Sequence, residues 1–198
     1  MQLRPYQLAA YEAAIAALRC GHHPALQLAT GTGKSLIIAA LAQATLQRRL
    51  RVWVLTHVQQ LVSQNSATYE RFTGDTSYGL VCSGLNCAHF DRDVTFGTVQ
   101  SIIAPALRGE LPAPDLIIVD EAHRIPHKTG EAGQYGRLFE HFPLARRVAM
   151  TATPWRMDGG LIYGEGKGFW FDRLAYTYTV PEAVTDGWLS PIVGVETE

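Results

Sequence analysis

Two short runs of this chain combine residue types that could act together on a nucleoside triphosphate. The first, Leu28-Ala29-Thr30-Gly31-Thr32-Gly33-Lys34-Ser35, sets two glycines, a lysine and a hydroxyl in close succession. Glycines let successive backbone N–H groups turn inward, so the stretch from Thr30 through Gly31, Thr32 and Gly33 can cradle phosphate oxygens. A helix starting near Lys34 would aim its positive dipole end at the same point. Lys34 would supply a point charge for the β- and γ-phosphates, and the Ser35 hydroxyl a ligand for Mg²⁺. The strict phosphate-loop pattern asks for a small residue where Leu28 stands. At a strand end Leu28 can face the core, so the departure is expected to be tolerated.

The second run is Asp115-Leu116-Ile117-Ile118-Val119-Asp120-Glu121-Ala122-His123. Four apolar residues read as a buried strand with Asp120 emerging at its C-terminal end, where ligands bind in open α/β sheets. Asp120 can hold the magnesium and its waters. Glu121, one residue on, can orient or deprotonate an attacking water. An isolated Asp-Glu pair reads as a solvated strand end. With the phosphate loop upstream, the pair reads instead as the acidic partner of that loop.

Elements must exist to carry these runs, and the apolar pattern supplies them. Pro5 to Leu18, Lys34 to Gln47, Val58 to Phe72, Val99 to Leu107 and Tyr135 to Phe142 have helical spacing. Ala25 to Ala29, Arg51 to Leu55, Tyr78 to Cys82, Val94 to Gly97, Leu116 to Val119 and Arg147 to Met150 read as strands. Their alternation predicts an α/β fold with a mostly parallel central sheet and helices on both faces, a three-layer arrangement. Gly159 to Phe171 reads as a loop. Beyond it, a strand from Thr177, a short helix Pro181 to Asp186 and a final strand Ile192 to Val195 are expected.

The 198 residues suit one domain, and 47% hydrophobic with 18% charged residues can build a core. A net charge of -1 gives no overall positive field to attract nucleic acid, so any such binding must come from local donors. Three cysteines do not make a disulfide framework. No apolar run approaches about 18 residues, and the N-terminus lacks a signal-peptide core, so a cytoplasmic protein is expected.

The ordered set Leu3-Arg4-Pro5-Tyr6-Gln7, ATGTGKS, DEAH and Thr151-Ala152-Thr153-Pro154 resembles the first RecA-like domain of superfamily 2 helicases and translocases, over nearly the whole chain. The resemblance implies a P-loop NTPase that uses ATP and Mg²⁺. It implies that Gln7 reads adenine, with Arg4 and Tyr6 flanking the base, an amide being suited to pair with an adenine edge. His123, Thr151 and Thr153 match positions that couple hydrolysis to domain movement. His57 and Gln64 fall in a segment similar to motif Ia, and Thr98, Gln100 and Ser101 in a later strand-contact motif. In the family such loops touch a nucleic-acid backbone through hydroxyls, amides and backbone N–H groups. Within the superfamily the text LRPYQ, THVQQLVSQN, GTVQSI, DEAHRI and TATPWR looks closest to RadD-like DNA-repair ATPases, with XPB-like proteins and type III restriction subunits as nearby branches. Met157 to Tyr163 fits the same group.

The family works with two RecA-like domains. Residues 1–198 read as the first, with 177–198 leading toward a second that this chain lacks, so the isolated domain is expected to be weakly active. The implied partner is nucleic acid, with the branch leaning to DNA, and a nucleoid-associated location when acting. Two other functions stay open: the motor of a type III-like restriction enzyme, and a nucleotide-dependent interaction module without motor activity. Cys82, Cys87 and His89 number three candidate zinc ligands where a closed site wants four. Tyr163, Phe169, Trp170 and Phe171 are read as covering the sheet edge or facing the second domain, rather than as a platform for bases. Lys128, Lys167, Arg137, Arg146 and Arg147 read as surface charges.

Overall fold

Eight strands form one sheet in the computed structural model, which describes residues 2–125, 133–156, 160–166 and 168–191. The strands are β1 (Pro24–Leu28), β2 (Val52–Thr56), β3 (Gly79–Cys82), β4 (Cys87–Ala88), β5 (Val94–Thr98), β6 (Leu116–Asp120), β7 (Arg146–Thr151) and β8 (Arg173–Tyr178). Their order across the sheet is β4-β3-β5-β2-β6-β7-β1-β8. Every pairing is parallel except that of β3 with β4. The helices are α1 (Pro5–Arg19), α2 (Lys34–Leu46), α3 (Gln59–Thr73), α4 (Val99–Leu107), α5 (Gln134–His141) and α6 (Val180–Thr185).

Alternation along the central strands sorts the helices onto two faces. Val52 and Val54 of β2, with Leu116 and Ile118 of β6, pack with Ala10, Ile38, Leu41 and Val62 from α1, α2 and α3. The intervening Trp53, Leu55, Ile117 and Val119 pack with Val99, Ile102, Leu138 and Phe139 from α4 and α5. Both faces of these strands are therefore apolar, which is why VWVL and LIIV are unbroken apolar runs. Removing a large ring from such a core, as in Trp53→Ala, costs about 3–5 kcal/mol.

The aromatic cluster after Pro154 belongs to this core. Trp170 and Phe171 are buried, and their rings meet Phe139 of α5 at 5.3 and 6.2 Å. These two rings pack on a face of the sheet rather than at its edge, and as buried rings they offer no platform for bases. Arg147 departs from its expected place on the surface. It is buried, with its guanidinium 4.9 Å from the Phe139 ring centroid, because a flat, weakly hydrated cation can stack on an aromatic face.

The edges of the sheet depart most from the expectations. The strand expected from Thr177 is already formed at Arg173, the short helix covers Val180–Thr185, and β4 was not anticipated. Cys82 and Cys87 stand opposite one another across β3 and β4 as free thiols. The expected strand Ile192 to Val195, Met157 to Gly159, Lys128 and Lys167 lie outside the described residues. No described helix is long and apolar enough to cross a membrane.

Candidate nucleotide and strand-contact site

The parallel strands end along one edge of the sheet, and the chemistry-bearing residues lie on that edge in strand order. Thr98 ends β5, Thr56 and His57 follow from β2, Asp120 ends β6, Thr151 ends β7, and the glycine loop leaves β1. The loop and Asp120 are thus separated by a single strand, and Thr151 occupies the end of that strand.

The loop has the backbone that its glycines predict. Gly31 and Gly33 have φ of +84° and +77°, in the left-handed region that side chains disfavour. A Cβ on Gly33 would also lie 2.7 Å from the Gln7 amide nitrogen. Gly33 is the N-cap of α2, so Lys34 and Ser35 open that helix. Leu28 is fully buried in the core, so the departure from the small-residue pattern is absorbed by packing. Lys34 Nζ donates to the Leu28 carbonyl at 3.4 Å and stands 3.9 Å from Glu121 Oε1. The lysine therefore bridges the loop and the acid pair. Thr30 is exposed at the loop's outer turn, and Thr32 is buried with its hydroxyl given to the Ala29 carbonyl.

Asp120 is only 3% exposed. Burial pushes its carboxyl above the usual carboxylate range, against the opposing effect of a hydrogen bond from Asn65. Both oxygens are oriented: Oδ1 accepts from the Glu121 N–H at 3.0 Å, and Oδ2 from Asn65 Nδ2 at 3.0 Å. Glu121 has φ of +53°, a left-handed conformation in a non-glycine residue. Such a backbone stores about 1–3 kcal/mol and aims the side chain where ordinary strand geometry would not. His123 Nδ1 lies 3.3 Å from Glu121 Oε2 and 3.1 Å from Thr151 Oγ1. Thr151 Oγ1 donates to the Thr153 carbonyl at 2.8 Å, so its own proton is committed. The proton between imidazole and hydroxyl must then sit on His123 Nδ1. One chain of contacts thereby runs from Lys34 through Glu121 and His123 to Thr151 and Thr153.

The N-terminal residues clamp the loop from its other side. Tyr6 Oη and Gln7 Nε2 both donate to the Thr32 carbonyl at 2.8 Å, and the Arg4 N–H donates to Gln7 Oε1 at 3.0 Å. Tyr6 was expected to flank a base. It is buried instead, its ring stacked 4.2 Å from Tyr178 of β8. Arg4 remains exposed, its guanidinium 4.3 Å over the Trp188 ring. Leu189 reaches the loop, its Cδ2 lying 3.1 Å from where a Cβ on Gly31 would stand. Tyr178, Trp188 and Leu189 were not picked out by the motif reading, since they belong to no phosphate or metal pattern.

The strand-contact candidates divide. Gln100 Nε2 and His57 Nδ1 meet at 3.3 Å, joining the loops after β5 and β2. Burial, then the nearby Arg124 and His123, lower the His57 pKa from its ordinary value, which favours the neutral ring. Thr98 Oγ1 donates to Ser101 Oγ at 2.9 Å, and Ser101 Oγ accepts from the Ser83 N–H at 3.0 Å. Gln64 is exposed on α3. One turn into α3 it faces α2, and its Nε2 donates to Ser35 Oγ at 3.3 Å.

Ser35 and Asp120 supply a hydroxyl and a carboxylate, hard oxygen donors suited to Mg²⁺. No three His, Cys, Asp or Glu side chains gather as metal ligands among the described residues. A magnesium ion here would complete its shell with phosphate oxygens and water, its usual manner at nucleotide sites.

Comparison with known proteins agrees with this architecture. Residues 1–156 match the family model described as type III restriction enzyme, res subunit (ResIII). The chain belongs to that family, whose members carry the first RecA-like domain of superfamily 2 helicases. The chain is 26% identical over 201 residues to IRC3 of Saccharomyces cerevisiae, a protein named for ATP-dependent helicase activity. It is 27% identical over 204 residues to the type I restriction enzyme SauCOLORF180P endonuclease subunit of Staphylococcus aureus. Each alignment covers 94% of this chain, but only 28% and 21% of those relatives. Among solved structures, the type ISP restriction-modification enzyme LlaGI in complex with a DNA substrate mimic superposes with a TM-score of 0.70 at 20% identity, over 95% of this chain and 21% of that one. The UvsW helicase of bacteriophage T4 superposes at 0.64 and 14% identity, over 89% of this chain and 60% of that one. These likenesses establish a RecA-like fold.

Proposed function

We propose that this chain is the nucleotide-holding first motor domain of an ATP-driven DNA translocase or helicase, with residues 1–198 as one RecA-like unit and residues from 177 onward leading to a second. The observation that carries the reading is the linked chain Lys34–Glu121–His123–Thr151, which joins the phosphate loop to the coupling segment on adjacent strand ends. A phosphate loop alone would bind nucleotide. A route from its γ-phosphate side to a separate strand end is what a motor needs in addition. ATP would lie along the loop, with Mg²⁺ at Ser35 and Asp120 and water activated at Glu121. A second domain would have to supply an arginine finger, worth about 10³–10⁵ in rate in other phosphoryl-transfer enzymes. The isolated chain is therefore expected to bind nucleotide weakly, hydrolyse it slowly and leave duplexes paired.

The motif text LRPYQ and TATPWR favours a DNA-repair branch, whereas the name of the matching family and the S. aureus relative favour a restriction motor. A cytoplasmic protein acting at the nucleoid suits either role. The test is ATP turnover by the complete protein with and without DNA. Stimulation by DNA is the expected result. A flat response would leave a nucleotide-dependent interaction module, and nuclease activity in the same chain would select the restriction reading.

A further inference from the structure

Asn65 is 1% exposed on the inner face of α3, in a stripe otherwise formed by Val62, Ser66 and Tyr69. A buried amide in such a stripe loses free energy unless its polar atoms are used. One of them is: Nδ2 donates to Asp120 Oδ2 at 3.0 Å. The other, Oδ1, is buried with no hydrogen-bond partner. It belongs to the same planar amide, so it lies beside the Asp120 carboxylate as an acceptor facing no donor of the protein. The preceding residue does the matching work on the other oxygen, since Gln64 Nε2 donates to Ser35 Oγ at 3.3 Å. Successive residues of one helix point about 100° apart. Gln64 therefore reaches the start of α2 while Asn65 reaches the end of β6.

We propose that Asn65, together with Gln64, is a positioning residue for magnesium. α3 holds the hydroxyl of Ser35 and the carboxylate of Asp120 in the orientation the ion requires, and the Asn65 carbonyl oxygen is the acceptor for a water of its shell. This rests on the nucleotide-site reading above. Groups that orient metal ligands from behind typically change metal affinity by about 10–100-fold when removed. α3 begins two residues after His57, so the helix that orients the metal ligands also follows directly from a candidate strand-contact loop.

The experiment measures binding of a fluorescent ADP analogue to the intact protein, in Mg²⁺ and in EDTA, for the wild type, Asn65→Leu and Asn65→Ser. The expected result is that each variant binds as the wild type does in EDTA and loses about 10-fold or more of the affinity gained with Mg²⁺. The serine variant guards against misfolding of the leucine one, and thermal melting checks both. Retention of the full Mg²⁺ gain would overturn the proposal. So would an equal loss with and without the ion, which marks a merely structural residue. If the wild type binds no nucleotide in either condition, the underlying site reading fails first, and Lys34→Ala would then be silent as well.

Discussion

The two stretches of the sheet edge where the parallel strands end are built from different chemistry. Around β6, β7 and β1 the residues are ionic: Lys34, Asp120 and Glu121 stand within one network, with His123 against the acid. Around β5 and β2 the hydrogen-bonded side chains are uncharged types, His57 with Gln100 and Thr98 with Ser101 and Ser83, with the Arg124 cation acting on His57 from the segment after β6. The same fold serves both, since parallel strands deliver all their loops to one edge. The contrast follows from the ligand each half would meet. A triphosphate with its metal concentrates charge at one point, and fixed charges gain most there. A nucleic-acid backbone spreads its charge along a line, where neutral donors can fix register without a basic surface. The net charge of -1 is therefore compatible with a strand-binding role.

The sharpest test of the ionic half is Glu121→Gln. DNA-stimulated turnover of the complete protein should fall about 10²–10⁴-fold in a steady-state ATPase assay while nucleotide still binds. Normal turnover would remove Glu121 from its role as base. Lys34→Ala should weaken nucleotide binding by about 10–100-fold in titration calorimetry, the scale of charge-assisted hydrogen bonds; an unchanged affinity would leave the loop as an ordinary turn. In the neutral half, Gln100→Ala should weaken single-strand binding only about 2–10-fold by fluorescence anisotropy. Gln100→Lys should steepen the salt dependence by about one phosphate's worth, and a wild-type slope already steep would contradict the neutral assignment. The smallest expected effect is a flat one. Because burial lowers the His57 pKa from its ordinary value, strand affinity should change little between pH 7 and 8, and the ring should take up its proton at lower pH than a free imidazole does. A rise in affinity on going from pH 8 to 7 would show a charged ring.

Legibility in the sequence tracked burial and motif density. The runs RVWVL and LIIV announced β2 and β6 because both of their faces are covered, and the loop was readable from Gly31 and Gly33, whose positive φ only glycine adopts easily. β8 was partly missed because it is an edge strand: Leu174, Ala175 and Tyr176 are only half-buried, and no apolar run marks their start. Asn65 escaped because a polar residue on a helix ordinarily faces solvent. Its clue was its spacing from Val62 and Tyr69, three and four residues away, on the stripe that packs inward. Gln64 falls in the motif Ia segment, and that motif gives no sign of the hydrogen bond it makes to Ser35 of α2. Tyr6 was placed beside a base by its motif, and its burial depends on Tyr178, more than 170 residues later.

The placement of Trp188 has an optical consequence. It stands 40% exposed against the Arg4 guanidinium, and its neighbour Leu189 rests on Gly31. Trp53 and Trp170 are buried in the core, and Trp155, 56% exposed, follows Pro154 beyond the end of β7. A nucleotide entering along the loop, as proposed, would press on Leu189 and with it the indole, whose emission would then change in colour and intensity. On the proposed reading Trp188 is an unlabelled reporter of occupancy, and Trp188→Phe would remove its signal.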